Sequence, residues 1–320
     1  MLYDVPAPAK VNLFLHVVGR RPDGYHLLQS VFQFIDLTDT LHFDVRADGV
    51  ISRSIDVPGV AEQDDLTLRA ARALQRACGV TRGVDITLIK RIPTGGGLGG
   101  GSSDAASTLI ALNRLWGCGL DREALMAIGL TLGADVPVFV FGRTAFAEGI
   151  GEQLTAIDLP ARAFVVAQPH VSVPTPEIFR SPDLTRNSFS IRITDFLTQS
   201  SAGFGKNDLE SVACRLYPEI RAGIRLLERS VSTVCANEPE DVDQKNVDTP
   251  FSPVVRMSGS GACVFVQCRN MHQAVAVEQE VVREMHATMQ FGSQVSSQGF
   301  RLVQACPGLT EHPLLHWIAN

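Results

Sequence analysis

The sequence predicts an α+β protein of two domains, and three observations support this. Strand-like runs, in which apolar and polar residues alternate, are interspersed along the chain with longer runs of helical periodicity. The 320 residues, 45% of them hydrophobic and 19% charged, suffice for two medium-sized hydrophobic cores. A glycine-rich loop joins a predicted strand to a predicted helix, a connection that proteins use to bind phosphate. We place the domains at residues 1–153 and 154–320.

In the first predicted domain, strands and helices follow one another up to a closing strand near residues 144–148. The first strand covers residues 5–18, because the apolar side chains there alternate with polar ones. The sequence Arg-Pro-Asp-Gly at 21–24 predicts a turn after it. Further strands are predicted at 27–35, 40–46, 49–55 and 84–90. Helices are predicted at 64–78, with Asp64 or Asp65 as N-cap, and at 103–116 and 121–132.

The second predicted domain opens on an apolar strand at residues 162–167, followed by a turn and a short helix across 173–179. The elements predicted after it are helices at 206–217 and 218–230, a glycine turn and strand across 256–266, a helix at 271–288 and a strand near 300–305. Residues 236–253 are rich in Asp and Glu and hold three prolines. That composition predicts a mobile acidic surface loop, which we take as an insertion without a catalytic role.

The composition excludes several classes of protein. A formal charge of −6 argues against non-specific binding to nucleic acid, which needs a basic surface. Neither a membrane span nor an N-terminal signal pattern is visible, so we expect a cytoplasmic protein that does not bind membranes. Seven irregularly spaced cysteines predict reduced thiols. His312 and His316 lack an acidic partner and are interpreted as a surface tail, and no metal site is predicted from side chains alone.

The most informative stretch is Pro93–Ala106, in which six of the seven residues from 95 to 101 are glycine. A strand precedes it and a helix start follows it, which is the geometry that gathers backbone N–H groups around a phosphate. We therefore predict that this loop binds a phosphorylated ligand, most simply a nucleotide. The residues assigned to that role are Pro93, Gly95, Gly96, Gly97, Leu98, Gly99, Gly100, Gly101, Ser102 and Ser103.

Three other interpretations fit the loop less well. Glycines 95, 97 and 100 fit the dinucleotide fingerprint GxGxxG, but a helix start at 120–123 stands where its second strand should be. Gly95 to Ser102 nearly fits the Walker A pattern, yet Gly101 stands in place of its lysine, so positive charge would have to come from elsewhere. A flexible hinge has no need of the helix N-terminus directly behind the glycines.

Four motifs resemble those of the superfamily that includes galactokinase, homoserine kinase, mevalonate kinase and phosphomevalonate kinase. They are PAKVNL at 8–13 with DGYH at 23–26, the glycine loop, LGADVP at 132–137 and SGSGAC at 258–263. They follow the superfamily's order. Within it, the long glycine loop and the other motifs are similar to those of the 4-diphosphocytidyl-2-C-methyl-D-erythritol kinase family.

The resemblance implies a fold and a reaction. The fold would be GHMP-kinase-like, with an N-terminal nucleotide-binding domain similar to ribosomal protein S5, a C-terminal ferredoxin-like sandwich and an active site between them. The reaction would be ATP-dependent phosphorylation of the 2-hydroxyl of 4-diphosphocytidyl-2-C-methyl-D-erythritol, in the non-mevalonate isoprenoid pathway. The implied cofactors are ATP and Mg²⁺, with Ser102 or Ser103 as a hydroxyl ligand of the metal or a donor to phosphate. The implied partner is a small molecule, bound by a monomer or weak homodimer.

Two residues carry the predicted chemistry, and each has a plainer interpretation. Lys10 reads by itself as an exposed edge-strand lysine, and Asp135, two residues before Pro137, as a helix N-cap. The resemblance implies instead that Lys10 supplies positive charge at the glycine loop and that Asp135 is the general base for the attacking hydroxyl. These two interpretations of Asp135 agree only if its side chain faces the cleft.

Substrate recognition is implied by the resemblance as well. Tyr25 and Phe179 would sandwich a cytosine ring, His26 would hydrogen-bond its edge, and Asn12 would lie near the accepting alcohol. Asp65 departs from the family, which commonly has asparagine there near the nucleotide base, so base recognition at that point stays open. The alternatives are another small-alcohol kinase such as homoserine kinase, a non-catalytic nucleotide sensor and a dinucleotide oxidoreductase.

Overall fold

The computed structural model describes residues 1–57, 59–199, 203–237, 251–290 and 299–318. Within them, ten strands form one sheet, with helices packed against it. The strands are β1 (Leu2–Arg20), β2 (His26–Arg46), β3 (Ile51–Arg53), β4 (Gly83–Ile89), β5 (Ala145–Glu148), β6 (Gln153–Ala156), β7 (Ala163–Pro169), β8 (Val255–Met257), β9 (Val264–Cys268) and β10 (Phe300–Leu309).

The helices occupy the connections between these strands. They are α1 (Leu66–Cys78), α2 (Gly100–Trp116), α3 (Arg122–Leu132), α4 (Val136–Phe141), α5 (Thr175–Arg180), α6 (Ile193–Gln199), α7 (Glu210–Leu216), α8 (Pro218–Asn237) and α9 (Met271–Gln290). Short 3-10 helices cover Glu62–Asp64 and Leu315–Trp317. Left-handed glycines end α1 and α2, where an αL residue needs no Cβ.

Strand β2 organises the sheet, because it pairs with four other strands along its length. One edge pairs with β1 from residue 26 to residue 43, and the other takes β5, β10 and β4 in turn. The strand order is β3-β4-β2-β10-β7-β9-β8, and among the described strands only β3 and β4 pair in parallel. The link between β2 and β10 is short, since it consists of Gly308 opposite Ile35 and Leu309 opposite Phe34.

Three clusters of buried apolar side chains form the core. The first lies between the β1–β2 face and helices α1 to α4, around Phe34, Leu68 and Phe139. The second lies between strands β7 and β9 and helices α7 to α9. The third contains aromatic residues from both halves of the chain, among them Phe14, Phe146 and Phe265, so the apolar interior continues from one half to the other.

The structure corrects the predicted strands at 27–35 and 40–46, which are one continuous strand. Residues 36–39 read as a break because they hold two aspartates and a threonine. They stay extended because β1 pairs with them and because the buried Asp39 carboxylate accepts the backbone N–H groups of Arg91 and Ile92. In the sequence alone, an aspartate that accepts hydrogen bonds from another segment cannot be told from an aspartate in a turn.

Further corrections concern the second half of the chain. The predicted helix at 206–217 begins only at Glu210, because the Asn207 side chain donates to the carbonyls of Met257 and Gly259 and holds the preceding residues out of the helix. His312 does not lie in a surface tail, since its side chain is almost completely buried against Phe34. The acidic loop predicted at 236–253 falls mainly on residues 238–250, which lie outside the described residues.

Candidate active site

The glycine loop between β4 and α2 presents a row of backbone N–H groups. Gly95, Gly97 and Gly99 have φ values of 68°, 72° and 73°, and α2 begins directly after them at Gly100. Among the loop and turn hydrogen bonds of the described residues, none is donated by the amides of Gly97 to Gly99, and the first amides of a helix have no partner within that helix. Unpaired amides at a helix N-terminus form a site for an anion, because the helix dipole adds positive potential there.

Glycine is required at two points of this loop for steric reasons as well as for its φ angle. A Cβ on Gly97 would lie 2.0 Å from the carbonyl oxygen of Ser258. A Cβ on Gly99 would lie 2.9 Å from the Phe139 ring and 3.2 Å from Cε of Lys10. The loop is therefore packed on its inner side, and only a residue without a side chain fits.

A second glycine turn, residues 258–263 between β8 and β9, holds the loop from behind. The amides of Ala262 and Cys263 donate to the carbonyls of Gly95 and Gly96, at 3.3 and 3.1 Å. The Ser258 hydroxyl donates to the Gly97 carbonyl at 2.9 Å. Because the loop's carbonyls are taken up on this side, its N–H groups are left for the cavity. Burial raises the pKa of the Cys263 thiol to about 12, as suits a packing residue.

Lys10 lies in β1 with its ammonium under the glycine loop, and it is 2% exposed. Its Nζ donates to Asn12 Oδ1 at 2.6 Å and to the Gly97 carbonyl at 3.0 Å, and it lies 3.5 Å from Asp135 Oδ2. The interpretation of Lys10 as an exposed edge-strand lysine is therefore wrong. Asn12 is buried next to it, and its amide donates to the Ser30 hydroxyl at 2.8 Å.

Asp135 stands at the N-cap position of α4, but its side chain makes no capping hydrogen bond. The carboxylate is 39% exposed and points towards Lys10. Its φ and ψ angles of −85° and −10° are right-handed helical, so the backbone of Asp135 already follows the course of α4. The structure thus brings the lysine and the aspartate together at the mouth of the glycine loop, as the sequence predicted.

The two serines behind the glycines face different surroundings. Ser102 lines the cavity, and its hydroxyl lies near Gly133 in the segment that leads to Asp135. Ser103 is fully buried, its hydroxyl donates to the Pro8 carbonyl at 2.7 Å, and its amide donates to the Gly99 carbonyl at 2.8 Å. The prediction that Ser103 offers a hydroxyl to phosphate or metal is therefore corrected, because that hydroxyl anchors α2 to β1.

The loop, Lys10 and Asp135 line one cavity of about 1070 Å³, together with the residues predicted to bind substrate. Those residues are Asn12, Tyr25, His26 and Phe179. Tyr25, in the turn between β1 and β2, is 58% exposed. The His26 and Phe179 rings pack at a centroid distance of 5.0 Å with an interplanar angle of 32°. An exposed aromatic ring and a tilted pair of rings at the same cavity suit a flat ring as ligand.

Several basic residues at this cavity were not predicted from the sequence, and Arg186 and Lys90 are two of them. Arg186 donates from Nε to His26 Nε2 at 3.1 Å, and nothing in the surrounding sequence marks it. Lys90 lies beneath Gly100 in the structure. Its position in the sequence, just before the glycine loop, could have indicated that it belongs to the site. Its ammonium is already paired with the buried carboxylates of Asp39 and Asp104, so Lys90 adds little net charge to the loop.

Asp65 also lines the cavity, and its carboxylate caps helix α1. Its Oδ1 accepts the amides of Thr67 and Leu68, and its Oδ2 lies 3.2 Å from Arg53. Of the two caps that the sequence proposed, Asp65 is the one used, while Asp64 ends the preceding 3-10 helix. An asparagine side chain could accept the same two amide bonds.

The comparisons with known proteins agree with this geometry. The model of the GHMP kinases N terminal domain matches residues 65–143, from the cap of α1 to two residues beyond α4. The 4-diphosphocytidyl-2-C-methyl-D-erythritol kinase of Bordetella parapertussis is 57% identical over 100% of this chain and 99% of its own. That of Ralstonia nicotianae is 52% identical over 98% and 96%. The chain belongs to the 4-diphosphocytidyl-2-C-methyl-D-erythritol kinase family of GHMP kinases.

Solved structures place the fold in the same family. A crystal structure of a 4-(cytidine 5'-diphospho)-2C-methyl-D-erythritol kinase matches with a TM-score of 0.72 and 33% identity, over 95% of this chain and 98% of that one. A homoserine kinase from Cytophaga hutchinsonii matches with a TM-score of 0.66 at 14% identity, over 98% and 96%, which shows the shared fold alone. The resemblance read from the four motifs is thus confirmed, and the fold is the GHMP kinase fold of mixed α and β content.

Proposed function

We propose that this member of the family phosphorylates the 2-hydroxyl of 4-diphosphocytidyl-2-C-methyl-D-erythritol with ATP, in the non-mevalonate isoprenoid pathway. The observation that carries the proposal is that one cavity is lined both by the groups that would hold the phosphates and by the groups that would hold a pyrimidine ring. At one part of it lie the glycine loop, Lys10 and Asp135, and at another lie Tyr25, His26 and Phe179. The relatives' shared name supports the same substrate.

In the proposed mechanism, the protein positions the reactants and neutralises charge. The amides of residues 95–102 and the N-terminus of α2 hold the ATP phosphates. Lys10 balances negative charge on the group in transfer, and it stays in place because Asn12 and the Gly97 carbonyl hold its ammonium. Asp135 accepts the proton of the attacking hydroxyl, or orients that hydroxyl, from a side chain open to the cavity.

The donors present fit a magnesium ion that arrives with the nucleotide. Within the described part of the chain, no group of three or more His, Cys, Asp or Glu side chains is arranged to hold a metal. Mg²⁺ suits such a site, because it binds through one or two protein oxygens together with phosphate oxygens and water. The Ser102 hydroxyl, which lines the cavity, would hold it together with the phosphate oxygens, and the ion would supply positive charge there.

Substrate selection is proposed to depend on the aromatic end of the cavity. A cytosine ring fits against Tyr25, which is exposed, and against Phe179, whose neighbour in this structure is the His26 ring. Stacking of a base on an aromatic ring contributes about 1–3 kcal/mol. Asn12, next to Lys10, lies where the accepting alcohol would approach Asp135.

The remaining proposals concern the protein as a whole. We propose two domains, with an N-terminal one similar to ribosomal protein S5 at 1–153 and a C-terminal ferredoxin-like one at 154–320. We also propose a cytoplasmic monomer or weak homodimer that binds no nucleic acid. The net charge of −6 supports the last point, and none of the described helices is both long and apolar enough to cross a membrane.

The test is an ADP-release assay with ATP, Mg²⁺ and one candidate acceptor at a time. We expect ADP release with the cytidyl substrate and none above background with homoserine or mevalonate. Turnover of homoserine would replace the proposed substrate by another small alcohol. Binding of NADH without any ADP release would contradict the whole class of activity.

A further inference from the structure

Arg186, in the segment after α5, connects the two residues that the proposed function assigns to the pyrimidine ring. Its Nε donates to His26 Nε2 at 3.1 Å, and its Nη2 donates to the Phe179 carbonyl at 3.0 Å. Further bonds run to the carbonyls of Ser181 and Leu184, at 2.8 and 3.1 Å. All three guanidinium nitrogens are therefore used, and the side chain is fixed in one orientation.

This contact decides which nitrogen of His26 carries the proton. A guanidinium is always protonated and can only donate, so the nitrogen that faces it has to accept. Nε2 is consequently the unprotonated nitrogen of a neutral imidazole, and the proton lies on Nδ1. The pKa of His26 is lowered, first by burial and then by the charges of Arg186 and Arg20, which keeps the ring neutral near pH 7.

The tautomer matters because cytosine and uracil differ at one ring nitrogen. Cytosine N3 is an acceptor, whereas uracil N3 carries a hydrogen and is a donor. A His26 ring with its proton on Nδ1 can donate to cytosine N3. With uracil, the Nδ1–H of His26 would face the N3–H of the base, and two donors cannot form a hydrogen bond. The opposite tautomer would reverse this preference. Within the described residues, Nδ1 has no protein partner, and His26 lines the cavity.

We propose that Arg186 is a positioning residue that fixes His26 as the Nδ1-protonated tautomer and thereby makes the site select a cytidyl over a uridyl substrate. The inference rests on the proposed function, since it deepens the recognition of that substrate. Arg186 acts through His26 and through the end of α5, where it holds the backbone of Phe179. Because it lies at the base and not at the phosphates, it sets binding of the substrate without taking part in the transfer.

The first experiment reads the tautomer directly and needs no substrate. Protein labelled with ¹⁵N-histidine is examined by long-range ¹H–¹⁵N correlation at a pH above 7, and His26→Gln assigns the His26 signals. We expect a protonated Nδ1 and an unprotonated Nε2 in the wild type. In Arg186→Gln we expect the proton to redistribute between the two nitrogens. A wild-type His26 with its proton on Nε2 would overturn the inference.

The second experiment measures ADP release with the cytidyl substrate and with its uridyl counterpart. For Arg186→Gln we expect the KM of the cytidyl substrate to rise about tenfold or more, with kcat and the KM of ATP within about twofold. The preference for cytidyl over uridyl should fall by about a hundredfold, because a fixed donor on His26 no longer opposes the N3–H donor of uracil. An unchanged preference in a folded variant would overturn the inference.

Arg215→Gln is the matched control. Arg215 holds the same segment through Asp183 and the Ser181 hydroxyl but contacts neither His26 nor Phe179. We expect it to keep the cytidyl preference, and a loss as large as that of Arg186→Gln would show a merely structural effect and overturn the proposal. If Arg186→Gln does not fold, Arg186→Lys replaces it, since one ammonium cannot serve both His26 and the Phe179 carbonyl.

The outcomes separate the inference from the proposed function. A wild type that phosphorylates cytidyl and uridyl substrates equally would overturn the role of Arg186 and leave the kinase activity standing. A wild type that releases no ADP with the cytidyl substrate would overturn the proposed function, and the claim about base selection with it. The histidine spectrum would then still show whether Arg186 fixes the tautomer.

Discussion

Lys10 carries a charge that is almost entirely removed from water, and its partners explain why the fold tolerates it. A buried ammonium is costly unless its three donors are matched. Here Asn12 Oδ1, the Gly97 carbonyl and the Asp135 carboxylate surround it, and the Phe32 ring lies 5.2 Å from Nζ. Asp135 keeps an open side, so the pair has one member fixed in the interior and one facing the cavity.

Asp65 gives a prediction at the scale of a single residue. Asp65→Ala should lower the free energy of unfolding by about 1–2 kcal/mol, because α1 loses the acceptor for two backbone amides. Asp65→Asn should keep most of that stability, since its amide oxygen accepts the same bonds. Urea unfolding followed by circular dichroism measures both. The adjacent and exposed Asp64 provides the control, and an Asp64→Ala loss larger than that of Asp65→Ala would contradict the assignment.

At this scale the sequence predicted which residues line the site, but it predicted their hydrogen-bond partners less well. Lys10, Asp135, Tyr25 and His26 were found because each belongs to a motif. Ser103 was misassigned because a hydroxyl next to glycines looks the same whether it faces the ligand or, as here, the Pro8 carbonyl. Arg186 was missed because its importance comes from reaching His26, 160 residues away in the sequence.

Two glycine turns, at 95–99 and 258–263, form one unit at the scale of elements. Each turn is irregular by itself, and backbone hydrogen bonds between them fix both. The Asn207 side chain adds support from behind, with donors to the carbonyls of Met257 and Gly259 at 2.8 and 2.7 Å. The loop is therefore preorganised for its ligand and loses little freedom when it binds.

Gly97→Ala tests this unit. The added methyl group would need to occupy space 2.0 Å from the Ser258 carbonyl, so the two turns have to move apart. We expect kcat/KM for ATP to fall by about a hundredfold, as for displacements of about 1 Å in an active site. The measurement is ADP release at varied ATP.

Gly117→Ala is the matched control for that variant. Gly117 has a similar φ of 69°, but a Cβ there meets nothing within 4 Å. It should cost about 1–2 kcal/mol of stability from backbone strain and leave ATP kinetics unchanged. If Gly97→Ala kept the ATP kinetics of the wild type, the close contact between the two turns would be contradicted.

Elements with strong local signals were predicted well, and those set by distant contacts were not. The α2 and α3 helices came within a few residues of their observed bounds, because periodicity, caps and terminal glycines agree. Strand β2 looked interrupted, because its continuity depends on pairing with β1 and on Asp39 satisfying a separate segment. Helix α7 begins late for the same kind of reason, since Asn207 serves another turn.

At the scale of the whole molecule, the end of the described chain returns to its beginning. Leu314 and Ile318 belong to the first core cluster, with Phe34 and Phe139, and Trp317 packs against it. The Arg114 guanidinium lies 4.8 Å from the Trp317 ring. The last residues thus stabilise the helices that carry the glycine loop, which composition and spacing near His312 did not reveal.

His312 makes the packing of these last residues on the first core cluster sensitive to pH. Burial lowers its pKa to about 3, from an unfolded value of 6.5, so the unfolded chain takes up a proton that the folded chain excludes. Its contribution to stability is complete above pH 6.5 and is lost as pH falls from there towards 3. Between pH 7 and pH 5 the wild type should lose about 2 kcal/mol more than His312→Gln, which has no titrating group there.

Urea unfolding of both proteins at the two pH values measures that difference. The exposed His316 serves as the control, since His316→Gln should follow the wild type at both values. Equal losses in the wild type and His312→Gln would show that the His312 ring is accessible to protons in the folded state. That result would contradict the burial of His312 where the last described residues pack on the first core cluster.

The central claim is that Lys10 and Asp135 act together at the glycine loop, and steady-state ADP release tests it most directly. The variants are Lys10→Met and Asp135→Asn, with Lys206→Met and Asp36→Asn as controls whose side chains lie on the surface. Each is assayed with the cytidyl substrate, ATP and Mg²⁺. We expect kcat to fall by about 10²–10⁴ in Asp135→Asn and by a similar factor in Lys10→Met, with the controls unchanged. Near-normal turnover in both site variants would contradict the account.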